Sequence, residues 1–276
     1  MNLPLLVVAA LATGSALLGS VVGIGGATLL VPVLLALGVA PIEAAPIGLL
    51  TVGASSLAAG ARQLDEGRVH HRIGLTFELA ASAGAAAGAL AAASVSEVLL
   101  ARILGVAALV GAVAAVARKG IRNLPSATFG AEEVLGEWPG TLGGQYVLDG
   151  HVVPYQAQHL PAGLAAALAA GIVSGLSGVG AGFLKTPAMS EIMKIPVKVA
   201  AATTTFTLGI TATTGLLVYA IRGDLGIEAG GAALAGAFVG GSVGARLQTG
   251  APPTVLRRLT ALLLIVIAAV VIGRTL

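Results

Sequence analysis

The sequence predicts an all-α integral membrane protein built from two inverted repeats of about five membrane segments each. An apolar composition, apolar runs of nearly membrane-spanning length and an internal repeat are the observations that predict it. Hydrophobic residues make up 57% of the 276 residues and charged residues 10%, with a mean hydropathy of +0.98. Soluble domains contain roughly 45–50% apolar and about 25% charged residues. The composition therefore favours lipid over water as the surrounding solvent.

Apolar runs recur along the chain, separated by short polar breaks. Many approach the ~20 residues that a helix needs to cross hydrocarbon. The runs lie near 3–22, 27–39, 43–61, 73–93 and 98–117, and then near 161–177, 182–193, 197–220, 226–246 and 253–273. Residues Leu262–Ile272 lack the alternation of a membrane β-strand, so we predict helices.

The two sets of runs form an internal repeat. A shift of 155 positions places Gly23, Gly25, Leu29, Pro32, Pro41, Ala45 and Gly60 on Gly178, Gly180, Leu184, Pro187, Pro196, Ala200 and Gly215. We therefore divide the chain into a first membrane repeat at 1–117, an insert at 118–160 and a second membrane repeat at 161–276.

Each repeat is predicted to begin with a broken helix. Gly23-Ile24-Gly25-Gly26 separates the first two apolar runs, and Gly178-Val179-Gly180-Ala181-Gly182 separates their counterparts. An interior Gly costs a helix about 1 kcal/mol relative to Ala. A break at membrane depth is tolerated where the backbone faces protein or a water-filled cavity. Tight helix packing alone is the alternative role for these glycines.

The positions of Lys and Arg predict the topology, because these residues collect in cytoplasmic loops. With five crossings per half, eleven of the fifteen fall on one side: Arg62, Arg68, Arg72, Arg118, Lys119, Arg122, Lys194, Lys198, Arg246, Arg257 and Arg258. Arg102, Arg222 and Arg274 lie opposite, and Lys185 lies within the membrane. We therefore expect a multi-pass cytoplasmic (inner) membrane protein with both termini outside and residues 118–160 in the cytoplasm.

The insert differs from the rest of the chain in composition. It contains the single tryptophan, Trp138, and its Asp149-Gly150 pair lies between apolar residues, which predicts a β-hairpin. We expect a small sheet, with a flexible linker as the alternative. His70 and His71, in the loop before the fourth apolar run, are interpreted as solvated or lipid-facing.

The paired glycine clusters also predict an anion site. A broken helix presents unpaired N–H groups and the positive end of its dipole, which favour an anion. Candidate substrate-binding residues are Gly23, Gly25, Gly26, Thr28, Gly178, Gly180, Gly182, Lys185, Thr203, Thr204 and Thr207. Three roles are open for Lys185: contact with the anion, a pair with Glu191, or extension to the membrane interface. The threonine hydroxyls either donate hydrogen bonds to an oxyanion, or bond to carbonyls of their own helix or to neighbouring helices.

Glu78 and Glu191 are candidates for ion coupling, although we favour a pair between Glu78 and Arg72. Ser-His-Asp and HExxH arrangements are absent, and the glycine clusters lack the ending of a nucleotide-binding P-loop. We therefore expect no enzyme, no catalytic or metal-binding residue and no cofactor. A formal charge of +3 does not predict nucleic-acid binding. The expected partners are a small anion and the bilayer, and a homodimer is left open.

The repeated motifs resemble the TauE/SafE family of sulfite exporters, also called the toluenesulfonate uptake permease family. The resemblance rests on residues 23–32, on residues 178–187, on Ala202-Thr203-Thr204-Thr205-Phe206 and on the spacing of Thr211, Gly215, Tyr219 and Gly223. It implies an integral cytoplasmic-membrane transporter for small anions that often contain sulfur, such as sulfite, sulfoacetate or other organosulfonates.

We therefore expect a secondary transporter that moves small anions, with sulfite or organosulfonates as substrates, by alternating access. One alternative is an anion channel with the same lining. The other is a non-transporting membrane scaffold or receptor that acts through the 118–160 insert.

Overall fold

The structure is a computed structural model that describes residues 3–22, 24–65, 67, 69–117, 136–148, 151–250 and 253–273. These residues form ten α-helices, one π-helical segment and one small sheet. The helices are α1 (Leu5–Val22), α2 (Ala27–Ala36), α3 (Pro41–Asp65), α4 (His71–Ala92), α5 (Glu97–Ala117), α6 (Leu160–Ser177), α7 (Gly182–Pro187), α8 (Val197–Ile221), α9 (Ile227–Gly250) and α10 (Pro253–Gly273). The π-helical segment Ala188–Ile192 continues α7.

The order and lengths of the helices repeat between the two halves. Helices α1 and α6 both have 18 residues, α3 and α8 both have 25, and α5 and α10 both have 21. The 10-residue α2 corresponds to α7 with its π-helical continuation. Each half therefore contains five helical segments in the same order, as the repeat predicts.

The main contacts between helices join one half to the other. Helix α1 packs on α9 as α6 packs on α4, while α3 packs on α8 and α5 packs on α10. Equivalent helices of the two halves thus have equivalent neighbours, as they would around a twofold axis. The largest buried apolar cluster takes residues from both halves, among them Leu30, Leu49, Phe183 and Leu208.

Helix directions agree with an inverted arrangement of the repeats. Gly60 lies against Phe206 and Gly215 lies against Leu49, so α3 and α8 are antiparallel. Helices α1 and α3 both run parallel to α9, and the chain must therefore return through α2 between them. The pairs that define these directions are Gly236 with Ala9, Gly244 with Leu17, Gly230 with Leu50 and Gly241 with Ser55.

Small residues allow close contact between α4 and α6 and between α9 and α1. The Cβ positions of Gly84 and Gly88 face the backbone of α6, and those of Gly240 and Gly244 face the backbone of α1. Among the described residues, five helices are long and apolar enough to cross a membrane: Pro41–Asp65, His71–Ala92, Leu160–Ser177, Val197–Ile221 and Ile227–Leu247. Two shorter apolar stretches are Leu5–Val21 and Ala27–Ala36.

The described part of the insert folds as a three-stranded antiparallel sheet. Its strands are β1 (Gly136–Glu137), β2 (Gly143–Leu148) and β3 (His151–Gln156), in the order β1-β2-β3. Leu148 pairs with His151, which places the turn at residues 149–150, outside the described residues. The described part of the insert thus contains a small sheet.

Substitution of Gly84 by Ala should destabilise the protein, because an added Cβ would overlap the carbonyl oxygen of Leu168. We expect a loss of about 1–3 kcal/mol, the usual cost of overpacking. The measurement is thermal unfolding in detergent, followed by circular dichroism. Gly14→Ala is the matched control, since nothing lies within 4 Å of its Cβ position. Equal melting temperatures for the two variants would contradict the packing described here.

Candidate functional site

Both helix breaks predicted from the glycine clusters are present. Helix α1 ends at Val22 and α2 begins at Ala27, while α6 ends at Ser177 and α7 begins at Gly182. Left-handed backbone occurs at Gly25 (φ 85°), Gly178 (φ 74°), Gly180 (φ 74°) and Ala181 (φ 48°). Glycine adopts these angles without strain, which explains three of the four positions. Gly23 lies outside the described residues.

The two breaks are in contact with each other. The Thr28 hydroxyl donates to the Ile24 carbonyl at 2.9 Å and lies 3.4 Å from the Val179 carbonyl oxygen. A Cβ at Gly182 would come within 2.9 Å of the Ile24 carbonyl oxygen. Thr28 therefore lies close to the glycine cluster 178–182 of the second half, although the hydrogen bond between Thr28 and Val179 spans 151 residues of sequence.

Several backbone amides at the two breaks have no acceptor among the described residues. Within the described part of the chain, no acceptor is found for the amides of Gly25, Gly26 and Ala27 in the first half, or of Gly182 and Phe183 in the second. These amides begin α2 and α7, where the helix dipoles add partial positive charge. The two breaks thus present N–H groups that can bind an anion.

A buried ion pair lies beside the second break. The Lys185 ammonium is 2.7 Å from Glu78 Oε2, and both side chains are almost fully buried. The Thr211 hydroxyl accepts from Lys185 and donates to Glu78 Oε1. Lys185 therefore does not pair with Glu191, which is exposed, and its side chain does not extend to the membrane interface.

The predicted pair between Glu78 and Arg72 is wrong. Arg72 is exposed at the start of α4 and donates to the carbonyl of Trp138 at 3.0 Å. Glu78 lies almost two turns further along the helix, on the side that faces α7 and α8. The contact between Glu78 and Lys185 joins the first half of the chain to the second.

The three candidate threonines of α8 are buried but do not act alike. Thr203 accepts from the His70 amide at 3.0 Å, Thr204 contacts the Met189 sulfur at 3.6 Å, and Thr207 donates to the Thr204 carbonyl at 3.3 Å. Thr211, one turn beyond Thr207 on the same face of α8, is the threonine that reaches the ion pair. Sequence reasoning gave it less weight because it is further from the break; its position on the same helical face was the available signal.

Two further hydroxyls near the second break were missed by sequence reasoning. Ser174 precedes the break by one turn, and Thr186 follows Lys185. Both side chains are buried, and their hydroxyl oxygens have no hydrogen-bond partner among the described residues. Buried hydroxyls are usually paired, so these two are candidates for contact with a ligand.

The interpretation of His70 as solvated or lipid-facing is wrong, because the insert covers it. His70 is only 1% exposed, and its Nε2 lies 2.9 Å from the Gly143 carbonyl oxygen of β2. The Ile73 amide donates to His70 Nδ1 at 3.3 Å, which requires a neutral ring. Glu137 Oε2 lies 3.0 Å from the same nitrogen, and this contact favours a protonated ring. His71 is half-buried and lies 3.5 Å from Glu137.

Each half contains several apolar helices and one broken helix, and the two breaks contact each other. This arrangement defines a polytopic membrane protein of the transporter class. The family described as "Sulfite exporter TauE/SafE" matches residues 6–271, and the chain belongs to this family. It is therefore an all-α, multi-pass membrane protein of a transporter family.

A curated relative supports the same assignment. The chain is 26% identical over 256 residues to the "Probable membrane transporter protein YunE" of Bacillus subtilis (strain 168), and the match covers 90% of this chain and 89% of the relative. No solved structure matches the chain.

Acid should loosen the insert. Burial lowers the pKa of His70 from its ordinary 6.5, with the Gly143 carbonyl and Glu137 opposing in part. The docked form therefore binds fewer protons than the undocked form, and docking weakens as the pH falls below about 6.5. Trp138 is buried and is the single tryptophan, so its emission should shift to the red between about pH 7.5 and 5. His70→Gln should remove most of this shift; an unchanged shift in that variant would assign the titration to another group.

Proposed function

We propose that this protein is a secondary transporter that moves small anions across the cytoplasmic membrane by alternating access. Sulfite and organosulfonates are the proposed substrates, in line with the description of the family, "Sulfite exporter TauE/SafE". The observation that carries the proposal is the contact between two helix breaks, beside which lies a buried lysine. We propose that both termini lie outside and that the insert lies in the cytoplasm.

The breaks supply the anion contacts. The amides of Gly25, Gly26 and Gly182 lie at the N-terminal ends of α2 and α7, where the helix dipoles are positive. Hydrogen bonds to these amides compensate an oxyanion for the water it loses, as at other helix N-termini. The glycines leave no side chain between solute and backbone. Thr186 can add a hydroxyl donor from the second half, whereas the Thr28 hydroxyl already donates to the Ile24 carbonyl.

Lys185 supplies the positive charge of the site. It is one turn from Gly182, so its ammonium is carried by the same helix whose amides begin at the break. A buried ammonium needs a negative partner, and Glu78 is that partner in the structure. We propose that a bound anion contacts this ammonium and the α7 amides together.

Alternating access is supported by the paired architecture. Equivalent helices make equivalent contacts in the two halves, so the same chain can pack in two related arrangements with the site between them. A channel with the same lining is the rival. A catalytic step and a cofactor are not part of the proposal.

Transport by the purified protein in proteoliposomes tests the function. We expect uptake of one or more of radiolabelled sulfite, sulfate, thiosulfate and methanesulfonate. Unlabelled anion on the opposite side should accelerate the flux, because a carrier returns faster when loaded. Flux without this acceleration would indicate a channel, and no flux of any of these anions would refute the proposal.

Lys185→Met should weaken anion binding about tenfold or more, since a hydrogen bond to a charged group contributes about 1.5–3 kcal/mol. The measurement is the half-saturating anion concentration for uptake in the same vesicles. Lys198→Met is the matched control, because Lys198 is exposed in the first turn of α8. Equal half-saturation for the parent and Lys185→Met would remove Lys185 from the site.

A further inference from the structure

Three elements bring the ion pair together across the interface of the two halves. Glu78 comes from α4, Lys185 from α7 and Thr211 from α8. Glu78 Oε2 is 2.7 Å from the ammonium, and Oε1 accepts from Thr211 and from Ser82, the latter at 3.3 Å. Both carboxylate oxygens are therefore occupied by donors within the protein.

The fold does not require these charges, because the equivalent contact between the two halves is built without them. Gly84 and Gly240 make equivalent contacts on α6 and α1, which aligns α4 with α9. The positions equivalent to Glu78, Lys185 and Thr211 are then Leu234, Leu30 and Ser56. A buried ion pair commonly adds little stability over apolar residues of similar size. A charged pair present at only one of two equivalent contacts between the halves points to function.

Lys185 is the charged group that faces the Glu78 carboxylate. Among the described elements packed against α4, helix α6 carries no titratable side chain. On α8, Thr211 faces the carboxylate, whereas Lys198 is exposed, Tyr219 donates to the Gly175 carbonyl and Arg222 pairs with Asp224. The insert carries Glu137, which contacts His70 and His71 near the start of α4, and Glu191 on the π-helical segment is exposed.

We propose that Glu78 is the proton-binding residue of a proton-coupled anion transporter and that it competes with the transported anion for Lys185. This inference rests on the proposed function and adds the coupling ion to it. Without substrate, the carboxylate neutralises the ammonium. An anion that displaces it would leave Glu78 buried and unpaired, which is strongly unfavourable.

Protonation removes that obstacle. A proton from water on one side forms an O–H bond on the Glu78 carboxylate, while Lys185 keeps its three protons and its positive charge. The anion then takes the place of the carboxylate beside the ammonium, and the total charge of the site is unchanged for a monoanion. On the other side the anion leaves, the proton returns to water, and the ion pair forms again. One proton therefore crosses with each anion.

Thr211 is a positioning residue in this cycle. Its hydroxyl accepts from Lys185 and donates to the ionised carboxylate. When Glu78 is protonated, the same hydroxyl oxygen can accept from the new O–H group, so the neutral acid keeps a partner after the ammonium has turned to the anion.

Proteoliposomes with an internal pH dye test the coupling. The probe is whichever of sulfate, thiosulfate and methanesulfonate is transported best, because these anions keep a fixed charge near neutral pH. We expect anion uptake to acidify the interior, and the initial rate at low anion concentration to rise about tenfold per unit fall in external pH, as for one bound proton. Glu78→Gln should move anions at a rate independent of external pH and without acidification.

Controls separate the residues and the two proposals. Glu228→Gln, an exposed acid in the first turn of α9, should keep the coupling. Loss of coupling in Glu191→Gln with normal coupling in Glu78→Gln would overturn the assignment. If the parent transports none of the anions, the transport proposal fails; if it transports them without proton movement, only the coupling fails.

A measurement on the unaltered protein covers the case in which Glu78→Gln does not fold. In weakly buffered detergent solution near neutral pH, binding of the same anion should take up about one proton per anion bound, since each binding event neutralises one carboxylate. Lys185→Met with Glu78→Leu, which replaces the pair by apolar side chains, should unfold at a temperature near that of the parent and take up no proton. Binding by the parent without proton uptake would refute the coupling.

Discussion

A backbone that leaves helical geometry inside a membrane has to be enclosed by protein, because lipid offers no partner for its polar groups. In this chain each break is enclosed mainly by helices and by the other break. A Cβ at Gly26 would overlap Ala16, and one at Gly178 would overlap the backbone of Ala45. The glycines are therefore required both for the turn and for the close approach, and the packing of the two halves fixes where the free amides lie.

The internal repeat supplies the scaffold, and the differences between the halves supply the chemistry. Helix lengths, proline positions and small-residue contacts are duplicated, so they reflect what any half needs in order to fold and pack. The charged pair is not duplicated: Lys185 stands where the first half has Leu30. Two equivalent breaks thus form one site with charge on a single side, which gives a bound anion a defined orientation.

The sequence predicted the features that solvent and local geometry determine. Apolar runs, the repeat and the glycine clusters predicted five segments per half, the broken helices and the sheet in the insert, because each depends on neighbouring residues. The partner of Lys185 could not be predicted, since Glu78 is 107 residues away and only the packing of α4 against α8 brings it near. The burial of His70 depends in the same way on an insert that docks from a distant part of the chain.

The ion pair and the insert are mechanically connected through the same two helices. Helix α4 begins beside His70, which the insert covers, and carries Glu78 two turns later. Helix α8 carries Thr203, which accepts the His70 amide, and Thr211 two turns further along. Gln158 also donates to the Met193 carbonyl, at the end of the segment that carries Lys185. Glu78, Lys185 and Thr211 thus all lie on helical segments whose ends on the insert side contact the insert or His70. Any opening on that side therefore either breaks these contacts or moves the insert together with the helices.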